Sequence, residues 1–514
     1  MAVLNRRIVD QYYIGFRNYV AVTIAEGIDG KLLYIVSEPQ LTPIGDKVYG
    51  SVYNYIISDL GALKVFSTFT TFDDGYEYAK STVYRICKKI VKNCSIEENQ
   101  IEYIVYYILR DFIGYGEIDP FIRDPNIEDV TCDGFNRPIY VFHSIHEWLE
   151  SNRVLNSKNL EKTVRRLAYR AGREVSIAQP IAEGILRPEG YRVHIVLDVV
   201  SLTGHSFTIR RFRESPYTIV ELINRGMLSP AVAALLWLTA ENRQGMIFYG
   251  PTGSGKTTLL NAIAMFIPPE LKIVTAEDTP EIRLPFHDNW ISMSTRLSSD
   301  PYVQNVTLQA QVESAMRQRP DVLILGEIRA REAYSFFQAV STGHGGLTTI
   351  HAENIESLIR RLVSPPMSVS KSLISTAKLF IHVLRLVDVK GVRRKVTYVY
   401  EVESYNPLED RITVKTLVKW DRYRDAWLID TDGSSVLKEI SDLILLSYDD
   451  VIEDLYRRTA LLLYATRNNL DIVSLYALAR RYRREPETTY REVVRKMDGE
   501  VVIEKLRDIE RRTL

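Results

Sequence analysis

Short apolar segments alternate with stretches of helical spacing in the second half of the chain. The apolar runs, four or five residues long and typical of buried strands, are 246–249, 272–276, 322–325 and 347–350. The helical stretches that accompany them are 256–267, 307–318 and 330–341. This alternation predicts βαβ units, and therefore a doubly wound, mainly parallel sheet.

The first two hundred residues have a different pattern, in which strands and helices mix without regular alternation. A hairpin is predicted over 19–36 around the turn at Asp29-Gly30. Helices are predicted over 78–112, with a break near residue 94, and over 160–171. Further strands are predicted at 139–142, 192–197 and 206–212. These segments predict α+β domains before the parallel sheet.

Beyond the last parallel strand, alternating segments at 393–402 and 411–420 predict antiparallel strands that extend the sheet or close over it. Residues after 434 are mostly of helical pattern. We therefore predict three domains: an N-terminal accessory α+β domain (1–112), a second α+β domain (113–213), and a C-terminal α/β domain with a helical C-terminal extension (214–514).

Composition narrows the class of protein. Lys plus Arg equals Asp plus Glu at 65 each, so no overall charge excess favours a nucleic-acid partner. Three cysteines, Cys87, Cys94 and Cys132, form no C-x-x-C pair, and they fit neither a disulfide framework nor a four-thiolate zinc site. We expect an intracellular protein. No apolar run is long enough to span a bilayer, so we expect it to be soluble or peripheral to a membrane.

Residues Gly250 to Thr257 form a phosphate loop, with two glycines five apart followed by Lys256 and a hydroxyl residue. Glycines let the backbone turn its N–H groups toward phosphate oxygens, the lysine adds positive charge, and the Thr257 hydroxyl suits Mg²⁺. The predicted nucleotide-binding residues are Gly250, Pro251, Thr252, Gly253, Ser254, Gly255, Lys256, Thr257 and Thr258.

Polar groups follow three further apolar strands, at the edge where ligands of parallel sheets bind. The second strand is followed by carboxylates from Glu277 to Glu281, the third by Glu327, and the fourth by His351. One carboxylate should orient or deprotonate a water molecule and another should hold Mg²⁺ through water, since hydrolysis of a nucleoside triphosphate depends mainly on positioning and charge. The residues alone leave open which acid has which role.

These segments resemble the type II/type IV secretion ATPases, which include pilus assembly motors, secretion ATPases and the archaellum motor. The family's Walker A, aspartate, Walker B and histidine boxes correspond to Gly250–Thr257, Glu277–Glu281, Asp321–Arg329 and Thr342–Ala352. The resemblance implies a RecA-like P-loop motor domain that hydrolyses Mg-ATP. It also implies that Glu277 activates water, that Glu327 is the Mg²⁺-side or second catalytic acid, and that His351 senses the γ-phosphate.

The resemblance extends upstream, through Gly114-Tyr115-Gly116, residues 186–193 and residues 207–212, to the family's second N-terminal domain. In that family, arginines of this domain reach the nucleotide of the same or a neighbouring subunit. Arg192, Arg210 and Arg211 are therefore candidate arginine fingers. Surface arginines on a β-sheet are the alternative interpretation.

The resemblance is closest to archaeal pilus assembly and secretion ATPases. No cysteine follows Cys132, so we expect no zinc. The implied protein is a hexamer at the inner face of the cell membrane, which acts on a polytopic platform protein and, indirectly, on pilin-like or secreted subunits.

Three alternatives stay open at the level of sequence. The first is an archaellum motor. The second is a RecA-like ATPase that translocates nucleic acid, although no basic loop with interleaved aromatic residues supports it. The third is a P-loop protein that is not a motor, such as a small-molecule kinase or a regulatory nucleotide-binding module.

Overall fold

The computed structural model of the chain describes residues 7–27, 29–91, 94–211, 216–296, 304–388 and 391–497. The chain divides into two compact units, residues 1–213 and 214–514. The predicted boundary at residue 213 lies outside the described residues, as does Phe212 at the end of the predicted strand 206–212.

The described part of the first unit contains nine strands and six α-helices. The strands are β1 (Ile8–Ile14), β2 (Val20–Glu26), β3 (Leu32–Ser37), β4 (Ile127–Cys132), β5 (Pro138–His143), β6 (Glu147–Val154), β7 (Ile181–Leu186), β8 (Tyr191–Val196) and β9 (Ser206–Arg210). The helices are α1 (Pro43–Ser58), α2 (Leu60–Phe66), α3 (Phe72–Ile90), α4 (Glu98–Phe112), α5 (Asp119–Arg123) and α6 (Ser157–Arg170).

The nine strands form one sheet in the order β1-β2-β3-β6-β5-β4-β9-β8-β7. Every pair is antiparallel except β3 with β6. The predicted hairpin is confirmed as β2–β3, and the predicted helices at 78–112 and 160–171 as α3, α4 and α6. Strands from both sides of residue 112 share this sheet and one hydrophobic core. The division of the first 213 residues into two domains stays a prediction.

The expectation that the cysteines form no disulfide is wrong for two of the three. Cys87, near the C-terminal end of α3, is bonded to Cys94, and the two Cα atoms are 5.2 Å apart. The bond joins the end of α3 to the segment that precedes α4, a pairing that the spacing of the two cysteines in the sequence does not reveal. Cys132 is a free, buried thiol, and burial raises its pKa to about 11.

The described part of the second unit contains nine strands and eleven α-helices. The strands are β10 (Met246–Tyr249), β11 (Ile273–Glu277), β12 (Trp290–Ser294), β13 (Val322–Leu325), β14 (Gly345–Ile350), β15 (Leu379–Asp388), β16 (Gly391–Asn406), β17 (Arg411–Asp421) and β18 (Ala426–Ile429). The helices are α7 (Ile219–Asn224), α8 (Pro230–Glu241), α9 (Lys256–Ala264), α10 (Leu308–Met316), α11 (Glu332–Ser341), α12 (Ile355–Val363), α13 (Lys371–Ile374), α14 (Ser435–Ile444), α15 (Tyr448–Arg467), α16 (Ile472–Arg484) and α17 (Pro486–Lys496).

The sheet of the second unit has the order β12-β11-β13-β14-β10-β15-β16-β17-β18. The first six strands are parallel, and the last four run antiparallel to one another along one side. The four predicted parallel strands and their three helices are therefore confirmed. The segments at 393–402 and 411–420 extend the sheet, as one of the two predicted arrangements requires. Strands β12, β15 and β18 were not predicted.

The four central parallel strands β11, β13, β14 and β10 are buried along their whole length. Helices on both faces cover them, which explains why their sequences are continuous apolar runs rather than alternating ones. Their carboxyl ends meet at one edge of the sheet. Every polar group predicted for the site in this unit follows one of these ends.

The C-terminal helices pack on α8, which is apolar on all sides and buried from Ala231 to Ala240. In α15, the buried Arg458 lies over the Trp237 ring and pairs with Glu241 of α8 and with Asp454. None of the described helices combines the length and the apolar character that crossing a bilayer requires.

Candidate functional site

The phosphate loop connects β10 to α9, as predicted. Gly255 precedes the helix with a φ of 94°, and Gly253 has a φ of 71°, both in the left-handed region that favours glycine. A Cβ atom on Gly250 would collide with the carbonyl oxygen of Val383 on β15. The sequence therefore needs glycine at these positions to form the loop, which leads directly into the N-terminus of α9.

Lys256, the first residue of α9, is only 6% exposed. Its Nζ donates to the carbonyl oxygen of Pro251 (2.9 Å) and lies 3.2 Å from Nδ1 of His351. Among the described residues, no carboxylate lies within 4.0 Å of this ammonium group. Burial lowers the pKa of Lys256 to about 8, against the opposing charges of Glu327 and Glu281. The ammonium group thus lacks a close anionic partner.

His351 connects Lys256 to Glu327. Its Nε2 is 3.1 Å from Oε1 of Glu327, while Nδ1 faces the ammonium group of Lys256 and therefore accepts from it. Burial and the charge of Lys256 lower the pKa of His351, so the ring is neutral at pH 7. A neutral ring that accepts at Nδ1 donates at Nε2, which gives Glu327 a hydrogen bond.

Two side chains, those of Arg329 and His351, hold the Glu327 carboxylate. Burial raises the pKa of its carboxyl group, but the hydrogen bond from Arg329 and the nearby positive charges outweigh burial and lower it. Arg329 Nη2 donates to Oε2 of Glu327 (2.8 Å), and Nη1 lies 3.7 Å from Asp278. Glu327 is therefore an ionised carboxylate whose position is fixed beside the phosphate loop.

Glu277, at the end of β11, is 1% exposed. Its Oε1 accepts from the backbone N–H groups of Glu281 (2.9 Å) and Ile282 (3.1 Å), and its Oε2 is buried without a hydrogen-bond partner. A Cβ atom on Gly326 would lie 3.1 Å from Cγ of Glu277, so a side chain where β13 ends would crowd Glu277. Burial raises the pKa of Glu277 to about 7. Such a carboxyl group takes up or releases a proton near neutral pH.

Glu281 was not singled out from the sequence, although it lies within the predicted acidic segment. Its negative charge opposes the lowering of the pKa of Lys256 and raises the pKa of Arg329. Glu281 therefore faces the same group of charges as Glu327. Only the turn after β11 reveals this, because the sequence alone does not tell which of two acids four residues apart points to the loop.

The phosphate loop fits a polyphosphate. The hydroxyl oxygen of Ser254 is buried without a hydrogen-bond partner, and the buried ammonium group of Lys256 lacks a close anion. Phosphate oxygens would satisfy both. Thr257 and Thr258 follow in the first turn of α9, and the Thr257 hydroxyl with the Glu327 carboxylate are oxygen donors of the kind that suits Mg²⁺.

The three candidate arginine fingers lie in the first unit. Arg192 on β8 stands directly opposite Arg210 on β9 and pairs with Glu183. Arg211 donates to the carbonyl oxygen of Ile127 (2.9 Å) and to the Tyr191 hydroxyl (3.2 Å), so its guanidinium group is engaged within its own unit. Arg210 is exposed. Their role as arginine fingers stays a prediction.

Arg394 also contacts the phosphate loop, although nothing in the sequence singled it out. Its Nε donates to the carbonyl oxygen of Gly253 in the phosphate loop (3.0 Å). Arg394 lies on β16, outside any recognised motif, and only the pairing of β10 with β15 and of β15 with β16 brings it to the loop.

A buried parallel sheet with a phosphate loop, two glutamates and a histidine at the carboxyl ends of its central strands defines the class of P-loop nucleoside triphosphatases. The sequence model of the type II/IV secretion system protein family matches residues 152–414.

Three known proteins illustrate the similarity. An uncharacterized protein of Methanocaldococcus jannaschii is 32% identical over 450 residues, which cover 84% of this chain and 80% of that protein. The probable conjugal transfer protein TrbB of Sinorhizobium fredii is 32% identical over 272 residues, covering 50% of this chain and 81% of that protein. Among solved structures, the VirB11 ATPase of the Brucella suis type IV secretion system is 25% identical with a TM-score of 0.29, over 55% of this chain and 91% of that one.

The chain belongs to the type II/IV secretion system protein family. It is an ATP-hydrolysing enzyme of the P-loop class, with a RecA-like fold preceded by an α+β region. The resemblance drawn from the four sequence boxes is thereby confirmed.

The raised pKa of Glu277 predicts a pH dependence of stability. Because its pKa of about 7 in the folded protein lies above the ordinary value of 4.5, the folded state binds more protons than the unfolded state between these values. Its contribution to stability is therefore present at low pH and is lost as the pH rises through 7. We expect Glu277→Gln to remove this loss, which amounts to about 3 kcal/mol.

The measurement is urea unfolding of the wild type and Glu277→Gln at pH values from 5 to 8. Glu313→Gln, the same change at an exposed glutamate on α10, serves as the control and should follow the wild type. Parallel pH profiles for the wild type and Glu277→Gln would show that Glu277 does not titrate in this range.

Proposed function

We propose that the chain is a motor ATPase that assembles into a hexamer and hydrolyses Mg-ATP to drive the assembly of type IV pilus-like filaments or protein secretion. The observation that carries this proposal is the contact of Lys256 with His351 and of His351 with Glu327, at one edge of the parallel sheet. Family membership supports the choice of secretion or pilus work over other P-loop chemistry.

The phosphate loop binds the polyphosphate of ATP through its backbone N–H groups and through Lys256. When it binds a phosphate oxygen, Nζ of Lys256 gives up its hydrogen bonds to Pro251 and His351. It gains a charge-assisted hydrogen bond to the phosphate in their place. His351, now without its ammonium partner, faces the γ-phosphate position. Because the same ring contacts Glu327, the presence of that phosphate affects the hydrogen bond between His351 and Glu327.

Mg²⁺ would be held by the Thr257 hydroxyl and, through water, by Glu327. When bound, it neutralises charge on the phosphate oxygens. The ionised state of Glu327, maintained by Arg329, suits this role.

Glu277 is the proposed acid that activates water. Its pKa of about 7 lets it accept a proton at physiological pH, and its buried Oε2 has no hydrogen-bond partner. Glu281 is a second candidate, since its charge acts on Lys256 and Arg329. The two acids are coupled by the backbone bond from Glu281 N–H to Glu277.

Arg210 is the proposed arginine finger. Arg192 is paired with Glu183 and Arg211 is bonded to Ile127 and Tyr191, whereas Arg210 is exposed and, among the described residues, has no ion pair. An arginine supplied by another domain or subunit links hydrolysis to domain motion. The work would be done on a membrane platform protein at the inner face of the cell membrane, with no nucleic acid involved.

Two substitutions test the nucleotide site. Lys256→Ala should abolish ATP turnover, because it removes the charge that faces the phosphates. Glu327→Gln should still bind ATP but hydrolyse it at least about 100-fold more slowly, because it removes the carboxylate that holds Mg²⁺. ATPase rates and binding of a fluorescent ATP analogue measure both effects.

The control for these variants is Lys371→Ala, which removes a lysine paired with Asp410. It should hydrolyse ATP at the wild-type rate. Normal turnover by Lys256→Ala or Glu327→Gln would contradict the site assignment.

A mixing experiment tests the arginine finger and the ring together. Arg210→Ala should lower kcat by roughly 10³-fold while leaving ADP binding unchanged, since an arginine finger acts on the transition state. If Arg210 acts on a neighbouring subunit, mixing inactive Arg210→Ala with inactive Lys256→Ala should restore part of the activity, because some interfaces then combine an intact loop with an intact finger.

Arg165→Ala, at an exposed arginine of α6 paired with Glu161, is the control. A full kcat in Arg210→Ala would exclude Arg210 as the finger. A large loss of kcat without any recovery on mixing would contradict its action between subunits.

A further inference from the structure

The hairpin formed by β15 and β16 extends past the phosphate loop. Strand β15 pairs with the loop's own strand, β10, through residues 379–382, and then continues beyond the end of β10. Val383, the next residue, touches the loop at Gly250 through its carbonyl oxygen. Two residues later, Arg385 stands directly opposite Arg394 of β16.

Both of these arginines lie close to the loop. A Cβ atom placed on Gly253 would be 3.9 Å from Cδ of Arg385, and one placed on Gly255 would be 3.1 Å from Cδ of Arg394. Directly opposite residues of an antiparallel pair share one face of the hairpin, so one face carries both guanidinium groups. That face is the one turned to the phosphate loop.

Arg394 contacts the loop directly: its Nε donates a hydrogen bond to the carbonyl oxygen of Gly253, at a distance of 3.0 Å. Gly253 and Ser254 share the peptide group that this carbonyl belongs to. Fixing the carbonyl therefore fixes the direction of the Ser254 N–H on the opposite side of the same planar group, where it donates a long hydrogen bond to the carbonyl oxygen of Pro251 (3.4 Å).

We propose that Arg394 is a positioning residue for nucleotide binding, which holds the Gly253–Ser254 peptide in the loop, so that its N–H can exchange the long bond to Pro251 for one to a phosphate oxygen. This inference rests on the proposed binding of Mg-ATP at the phosphate loop. The ligand is a nucleoside diphosphate or triphosphate, because a phosphate loop contacts the β- and γ-phosphates as well as the α-phosphate.

Two physical effects support this role. A hydrogen bond from a charged donor to the carbonyl polarises the peptide and strengthens its N–H as a donor. The glycine at 253, with a φ of 71°, has few steric restraints of its own, so the loop gains order from an external contact. Arg394 supplies that contact before any nucleotide binds and so reduces the ordering cost of binding.

Arg393 provides a matched control on the same strand. It neighbours Arg394 and has the same charge, but its side chain points to the opposite face of the hairpin. Its Nη1 lies 4.0 Å from Asp425, outside the phosphate loop. Any effect of general positive charge or of hairpin stability should be shared by the two residues, whereas an effect on the loop should belong to Arg394.

The experiment measures the Kd of Mg-ADP by isothermal titration calorimetry, and the KM and kcat for ATP, with the full chain. We expect Arg394→Gln to raise the Kd and the KM about tenfold, as the loss of one charged hydrogen bond predicts. We expect kcat at saturating ATP to stay within about twofold, because bound phosphates then hold the loop themselves. Arg394→Lys keeps the charge but loses the guanidinium geometry, and it should fall in between.

Arg393→Gln should bind Mg-ADP with the wild-type Kd. A wild-type Kd in Arg394→Gln, or an equal loss in Arg393→Gln, would overturn the inference, as would a loss confined to kcat. If Arg394→Gln does not fold, Arg394→Lys decides the matter by the same criteria. A wild-type chain that binds no Mg-ADP would contradict the proposed function itself, whereas wild-type binding with unaffected variants would contradict only the role of Arg394.

Discussion

The candidate site depends on the buried ammonium group of Lys256, which has no carboxylate within 4.0 Å in the part of the chain that the structure describes. Lys256 is bonded to a carbonyl oxygen of its own loop and to a neutral histidine ring, and burial lowers its pKa to about 8. An ammonium group in this setting is stabilised by any anion that replaces these neutral partners. Phosphate loops surround phosphate groups with backbone N–H donors, so a polyphosphate is the anion that suits this ammonium group and its loop.

The sheet produces this arrangement because its central strands are parallel and adjacent. Their carboxyl ends place Gly250, Glu277, Glu327 and His351 along one edge, although a hundred residues separate the first from the last. The adjacent hairpin of β15 and β16 adds Arg394, from a fifth segment of the sequence, to the same edge. The candidate site thus combines one continuous loop with side chains that only the order of the strands brings beside it.

The parts of this site that the sequence predicts are those fixed locally. The phosphate loop follows from its glycines, and the four central strands follow from their continuous apolar runs. Strand β12 was missed because it is a half-exposed edge strand with a mixed sequence, and the contact of Arg394 with Gly253 depends on strand pairing across 141 residues. The Cys87–Cys94 bond and the hydrogen bond from the Glu281 N–H to the buried Glu277 carboxylate depend on local backbone geometry. No residue pattern in the sequence predicts that geometry.

The ring of His351 offers the most direct test of the central claim, that polyphosphate binding draws Lys256 away from its neutral partners. The chain has only eight histidines, so selective ¹³C labelling and a His351→Gln reference spectrum assign the signal of this ring. Its pKa is lowered by burial and by the charge of Lys256. The account predicts that the pKa of His351, measured by NMR titration, rises when a non-hydrolysable ATP analogue with Mg²⁺ binds. An unchanged pKa in a chain that demonstrably binds the analogue would contradict it.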